Sequence, residues 1–196
     1  MTGEPGSTPE AEAYRREVRA AKRRKGLVIV HTGEGKGKTT AAFGLALRAR
    51  GQGLRVGVIQ FIKHETANFG EIRAARDAGI HVEGAGDGWT WTSKDLDESA
   101  ERARRGWERA ERYMREGAFD LLVLDEFTYA LHYGWVPVPQ VLDVLRNERP
   151  PMMHVGITGR YAPAELIESA DLVTEMRLVK HPFREQGIRA QRGIEF

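Results

Sequence analysis

The 196-residue sequence contains no cysteine, which excludes disulfide staples and thiolate metal sites. No apolar run approaches the roughly 20 residues needed to span a bilayer. The N-terminus is polar and basic and lacks the apolar core of an export signal. Neither sign of charge dominates, since 30 Lys and Arg against 28 Asp and Glu leave +2. So even a balance gives no support to a general role on nucleic acid. The histidines (His31, His64, His81, His132, His154 and His181) show no paired ligand spacing. No Ser-His-Asp order or nucleophile elbow appears either. What remains is a cytoplasmic protein with no membrane or nucleic-acid partner, working without a histidine- or serine-based catalytic group.

What is present is one domain's worth of core. A hydrophobic content of 41% with 30% charged residues is ordinary for a soluble globular chain of this length. Residues 1–9 have the composition of a disordered tail. From Glu10 to Lys25 the chain is rich in Ala, Glu and Arg, which favours helix, closed by Lys22-Arg23-Arg24-Lys25. That basic end reads either as a solvated helix terminus or as an arm folding over an anionic ligand or a neighbouring subunit. We therefore divide the chain into a tail and arm, 1–25, and a domain, 26–196.

Short β-branched runs recur along the domain: 27–30, 56–61, 121–124, 154–158 and, more weakly, 172–176. Near-continuous apolar runs separated by helical stretches indicate parallel strands in βαβ units. Helices are expected over 38–50, 69–78, 96–116, 138–147 and 163–169. The longest has a capping box, Asp95 with Glu98. Its stripe of Leu96, Ala100, Ala103, Trp107, Ala110 and Met114 makes Trp107 a core residue.

The most informative segment is Gly33-Glu34-Gly35-Lys36-Gly37-Lys38-Thr39-Thr40, set between the first strand and a helix. Such a loop aims backbone N–H groups and a helix N-terminus at a phosphate. Lys38 adds a mobile charge, and the Thr39 hydroxyl can hold a divalent metal. The usual spacing has four residues between the first glycine and the Gly-Lys pair. Here Thr32 stands in that first place, and counted from the first glycine the loop is one residue short, with three residues between Gly33 and Gly37. The fold expected is α/β, a P-loop NTPase-like (RecA-like), mostly parallel sheet flanked by helices.

A second signal is Leu121-Leu122-Val123-Leu124-Asp125-Glu126, which puts two carboxylates at the strand's C-terminal edge. Ligands of open α/β sheets bind at that edge. Alone the pair could cap a helix; beside the loop, Asp125 and Glu126 can reach a metal on the phosphates. Thr158-Gly159-Arg160 emerges on the same edge, where Arg160 reads as a phosphate contact or as a surface turn residue. Trp89 and Trp91 follow a glycine-rich stretch and would share one face if extended. They read either as core against the sheet edge or as an aromatic wall for a flat ligand. Phe61, Lys63 and His64 end the second strand towards the same edge.

Several segments together resemble the P-loop type of corrinoid adenosyltransferase, also called cob(I)alamin adenosyltransferase. The likeness runs from about Lys25 to Phe196 and rests on Thr32 to Gly44, Val58 to Lys63, Gly88-Trp89-Thr90-Trp91, Val123 to Tyr129, Ile157 to Arg160, Val179 to Phe183, and Gln191 to Phe196. It implies transfer of the 5′-deoxyadenosyl group of ATP to the cobalt of a reduced corrinoid such as cobalamin, with release of triphosphate. ATP would lie reversed in the loop of Gly33, Glu34, Gly35, Lys36, Gly37, Lys38, Thr39 and Thr40, with Arg160 beside it. Mg²⁺ (or Mn²⁺) would sit among Thr39, Glu126 and Asp125, with Lys38, Thr39 and Glu126 the catalytic residues. Trp89, Trp91 and Phe61 would face the corrinoid, a phenylalanine standing at the position of Trp89 in some relatives. A homodimer, a capping N-terminal arm, and an electron donor such as flavodoxin or reduced flavin are implied as well.

Two other readings fit the loop. An ordinary P-loop ATPase or kinase would use Glu126 to orient water or a hydroxyl and would make ADP. A RecA-like nucleic-acid-binding module would use the basic N-terminus, and the charge balance argues against it.

Overall fold

In the computed structural model, which describes residues 8–64, 69–86 and 96–195, six strands form one sheet in the order β3-β2-β4-β5-β1-β6. The chain runs α1 (Pro9–Ala20), β1 (Val28–Thr32), α2 (Lys38–Gly51), β2 (Val56–His64), α3 (Gly70–Asp77) and β3 (His81–Gly86). It continues through α4 (Leu96–Glu116), β4 (Leu121–Asp125), α5 (Thr128–His132) and α6 (Val138–Asp143), which passes into a π-helical turn, Val144–Glu148. The last elements are β5 (His154–Thr158), α7 (Ala164–Ser169), β6 (Leu172–Glu175) and α8 (Pro182–Gln186). Every strand pairing is parallel, so all C-terminal strand ends share one edge. This is a P-loop NTPase-like α/β domain.

Alternation along the strands sorts side chains between two cores. Val28, Val30, Ile59, Phe61, Leu122, Leu124, Val155 and Ile157 face the α4 side. Val56, Val58, Leu121 and Val123 face α2 and α3. Burying each such side chain contributes roughly 1.5–3 kcal/mol, so the central strands need helices on both faces. Along α4, Ala100, Ala103, Trp107, Ala110 and Met114 are buried. Trp107 stacks on Phe127 at 5.3 Å. The stripe expected from spacing is the packed face.

The expected helix over 10–25 is shorter. Thr8 caps it, its hydroxyl accepting from the Ala11 N–H at 3.2 Å, and it ends at Ala20 without a buried residue. The basic run 22–25 therefore lies beyond the helix and does not close it. Lys25 is instead drawn to Asp171, whose carboxylate also accepts from the Val28 N–H at 3.0 Å. The next residue is pinned too: the Gly26 N–H donates to the Pro151 carbonyl at 2.6 Å. An element absent from the expectation is β3, an edge strand in which, among the described residues, Val82 and Ala85 are buried. The 1–7 portion of the expected tail, the Asp95 half of the capping box, Trp89 and Trp91 lie outside the described residues.

Candidate active site

Strands β1, β4 and β5 deliver three loops to the shared edge. The glycine loop follows β1, Asp125 closes β4 with Glu126 next, and Thr158-Gly159-Arg160 leaves β5. Because β5 lies between β4 and β1, Arg160 emerges between the acidic pair and the glycine loop.

Asp125 is the fixed point. It is 0% exposed and accepts three side-chain hydrogen bonds: from Thr39 Oγ1 (2.8 Å), Gln60 Nε2 (3.0 Å) and Thr158 Oγ1 (2.8 Å). A buried carboxylate without such donors would be costly. Parity explains the convergence. Gln60 and Asp125 are register partners, and both fall on the α2 face, as do Thr158 and His31, themselves partners across β1 and β5.

Glu126 leaves the strand in a left-handed turn, φ +60°, a conformation costing a non-glycine residue about 1–3 kcal/mol. Its N–H donates to Thr158 Oγ1 at 2.9 Å. Thr158 thus joins the backbone of one acid to the side chain of the other. Gly159 lies opposite, at φ +136°, and a Cβ there would sit 2.1 Å from Thr128 Oγ1. The same Thr128 hydroxyl donates to the Arg160 carbonyl, which fixes the backbone of Arg160.

The loop wraps its own lysine. Lys38 is 6% exposed, and its amine donates to the Gly33 carbonyl (2.8 Å) and the Gly35 carbonyl (2.6 Å). Burial pushes its pKa down, and Glu126 works against that shift. Gly37, φ +105°, provides no side-chain cap to α2, so the first N–H groups of that helix face the loop's concave side. Gly33 and Gly35 also answer to Met176, just after β6. A Cβ at Gly33 would lie 2.6 Å from the Met176 carbonyl, which accepts from the Gly35 N–H at 2.6 Å.

Around this core stand the outer charges. Arg160 pairs with Glu34 at 3.4 Å, and Lys36 donates to Glu195 at 2.8 Å. Thr40 is exposed on the first turn of α2. Tyr129 lies beside Glu126, and burial, with that carboxylate adding to it, pushes its phenol up to about 12. It stays neutral at physiological pH.

The loop residues, Asp125, Glu126 and Arg160 thus share one edge. Phe61 does not join them: it is 5% exposed and packs its ring on Phe127 at 4.6 Å, in the core facing α4. Trp89 and Trp91 are outside the described residues, as are the side chains of Lys63 and His64. Sequence reasoning missed Gln60 and Thr158 as holders of Asp125. The available signal was a glutamine inside an apolar strand, two residues beyond Val58 and so on the same face.

The donors at this edge suit a hard cation. A threonine hydroxyl and carboxylate oxygens match Mg²⁺, which usually keeps waters and takes phosphate oxygens with one or two carboxylates. An ion held by Thr39 and Glu126 would complete its shell with waters and phosphate oxygens; among the described residues no group of three or more His, Cys, Asp or Glu could hold a metal. Asp125, already accepting three hydrogen bonds, fits as the orienter of Thr39, and Thr39 with Glu126 as the nearer ligands.

Comparison with known proteins places this edge in context. Residues 24–196 match the family model described as ATP:corrinoid adenosyltransferase BtuR/CobO/CobP. A corrinoid adenosyltransferase of a Sinorhizobium species is 41% identical over 195 residues, covering 94% of this chain and 87% of that protein. The Escherichia coli K12 corrinoid adenosyltransferase is 41% identical over 179 residues, 91% of this chain and 90% of its own. Corrinoid adenosyltransferase CobA of Salmonella typhimurium is 40% identical, with the same coverage of both chains. With its glycine loop, its acidic strand end and nearly its whole length matched, the chain belongs to the ATP:corrinoid adenosyltransferase family.

Proposed function

We propose that this chain grips the polyphosphate of ATP in the 33–40 loop and presents C5′ of the ribose to the cobalt of a reduced corrinoid. ATP-dependent adenosylation of a corrinoid is the activity of the family, and an ordinary kinase reaction is not favoured. In the displacement, the electron pair of cobalt(I) forms the cobalt–carbon bond. The C5′–O bond breaks, its electrons pass to oxygen, and triphosphate leaves. Such a nucleophile needs no general base, so positioning and charge stabilisation are the protein's tasks. Holding C5′ in line contributes roughly 7–11 kcal/mol of barrier lowering.

The observation that carries this reading is the contact between Thr39 and Asp125 at the mouth of the uncapped α2 N-terminus. It is joined by a loop one residue shorter than the usual spacing. Lys38 and the loop amides stabilise the charge that develops on the leaving oxygen. Arg160 adds a bidentate donor. Thr39 and Glu126 would hold Mg²⁺, which supplies Lewis-acid stabilisation of the phosphate oxygens. Trp89 and Trp91 cover the lower face of the corrin and keep cobalt(II) without its axial base, which eases its reduction.

The reading extends to the setting. Flavodoxin or reduced flavin supplies the electron, two chains form a homodimer, and the 1–25 arm caps the corrinoid above the 26–196 domain. The protein works in the cytoplasm; among the described residues no helix is long and apolar enough to cross a membrane. Anaerobic mixing with ATP, Mg²⁺ and chemically reduced cobalamin tests the reaction. A light-sensitive cobalt–carbon product with equimolar triphosphate supports it, and ADP or phosphate without that product overturns it.

A further inference from the structure

The loop carries an acid where it is built to hold an anion. Glu34 lies between two glycines, its side chain 51% exposed, and faces Arg160 NH1 at 3.4 Å. Neither backbone can move far. Gly33 and Gly35 are pressed against Met176, and the Arg160 carbonyl is held by Thr128. The two side chains can still exchange partners. The other loop cations are engaged differently, Lys38 by loop carbonyls and Lys36 by the distant Glu195. Among the described residues, Arg160 is the cation held by a carboxylate of the loop itself. Both charges also reach the loop amine, Glu34 favouring its charged form and Arg160 opposing it.

Product chemistry gives that arrangement a use. Breaking C5′–O adds an ionised oxygen to the phosphate chain, so triphosphate is drawn to the loop's cations more strongly than ATP. A site built only of donors would hold its product longer than its substrate. A carboxylate in the loop repels the more highly charged species more, and offers Arg160 somewhere to go.

We propose that Glu34 is the residue that sets triphosphate release: it competes with the polyphosphate for Arg160 and takes back the guanidinium as the product leaves. This rests on the reading that triphosphate is formed in this loop. Glu34 is a positioning residue, acting through Arg160.

The test is titration calorimetry of inorganic triphosphate with Mg²⁺, and of ATP with Mg²⁺, into full-length wild type, Glu34→Gln, Arg160→Met and the double variant. Because an exposed ion pair is worth about 0–1 kcal/mol, Glu34→Gln should bind triphosphate roughly three- to fivefold tighter, with a smaller gain for ATP. Steady-state kcat in Glu34→Gln should fall by more than the single-turnover rate does, giving a burst of product that wild type lacks. In the Arg160→Met background the gain from Glu34→Gln should largely vanish. Triphosphate binding no tighter in Glu34→Gln, or a gain undiminished without Arg160, overturns the proposal and leaves the loop reading standing. Wild type that binds ATP but no triphosphate overturns the loop reading itself.

Discussion

The hydroxyl of Thr39 lies 2.8 Å from Oδ1 of Asp125, tying the first turn of α2 to the end of β4. The same carboxylate holds Gln60 and Thr158. One buried charge therefore sets the mutual position of strands β2, β4 and β5 and the helix that follows the loop.

Asp125→Asn keeps the shape but replaces one acceptor with a donor that meets the Gln60 amide. Loss of a charge-assisted set of bonds at a buried site should cost about 1–3 kcal/mol in urea unfolding. Turnover should fall by more than tenfold, because the acceptor that orients Thr39 loses its charge and the side chain is pushed off by the Gln60 amide. Unchanged stability with unchanged turnover would show that the three bonds are dispensable.

Gly159→Ala should be among the most damaging single-methyl changes in the chain. It places a Cβ 2.1 Å from Thr128 Oγ1 at a φ of +136°. A destabilisation above about 3 kcal/mol is expected from backbone strain and the clash together. Adding Thr128→Ala removes the clash but not the strain, so the double variant should recover only part of the loss in thermal unfolding.

His31 sets an acid-side limit. Burial lowers its pKa, and its Nδ1 is buried without a hydrogen-bond partner. The folded state therefore binds its proton less readily than the unfolded state. Stability from this source is fully present above the unfolded value of about 6.5 and is lost as pH falls towards the lower folded value. The urea midpoint of wild type should drop between pH 7.5 and pH 5.5, and His31→Val should flatten that part of the profile. Parallel profiles for the two proteins would refute the assignment.

Lys38→Ala should reduce adenosyl transfer by at least about a hundredfold, the scale for removing an oriented charge from a developing oxyanion. Its folded state should survive, since the amine's partners are two carbonyls of its own loop and no other element depends on them. Near-normal turnover in the variant would remove the loop from the mechanism.

Much of this site was legible because its signals are local. The loop from Gly33 to Thr40 carries its own turn chemistry, and the Leu121 to Asp125 run ends where the hydrophobicity ends. Trp107 was placed by the helical period of its stripe. What failed depended on tertiary contacts. The Glu10 to Lys25 stretch favours helix throughout, yet the chain leaves it at Ala20, and Lys25 goes to Asp171. The β3 strand has two glycines and only two buried side chains, too weak an alternation to stand out. Phe61, near the end of its strand, shares its parity with Ile59 and so packs towards α4. Gln60, one residue earlier, was the side chain with the right parity for the site.

The most direct measurement is a crystal structure with ATP and Mg²⁺ bound, read for which end of the nucleotide enters the loop. The account predicts the terminal phosphate deep among the amides of 33–39, with C5′ turned towards the open edge where a corrinoid can approach. A terminal phosphorus facing that open edge, with the ribose buried, would contradict it.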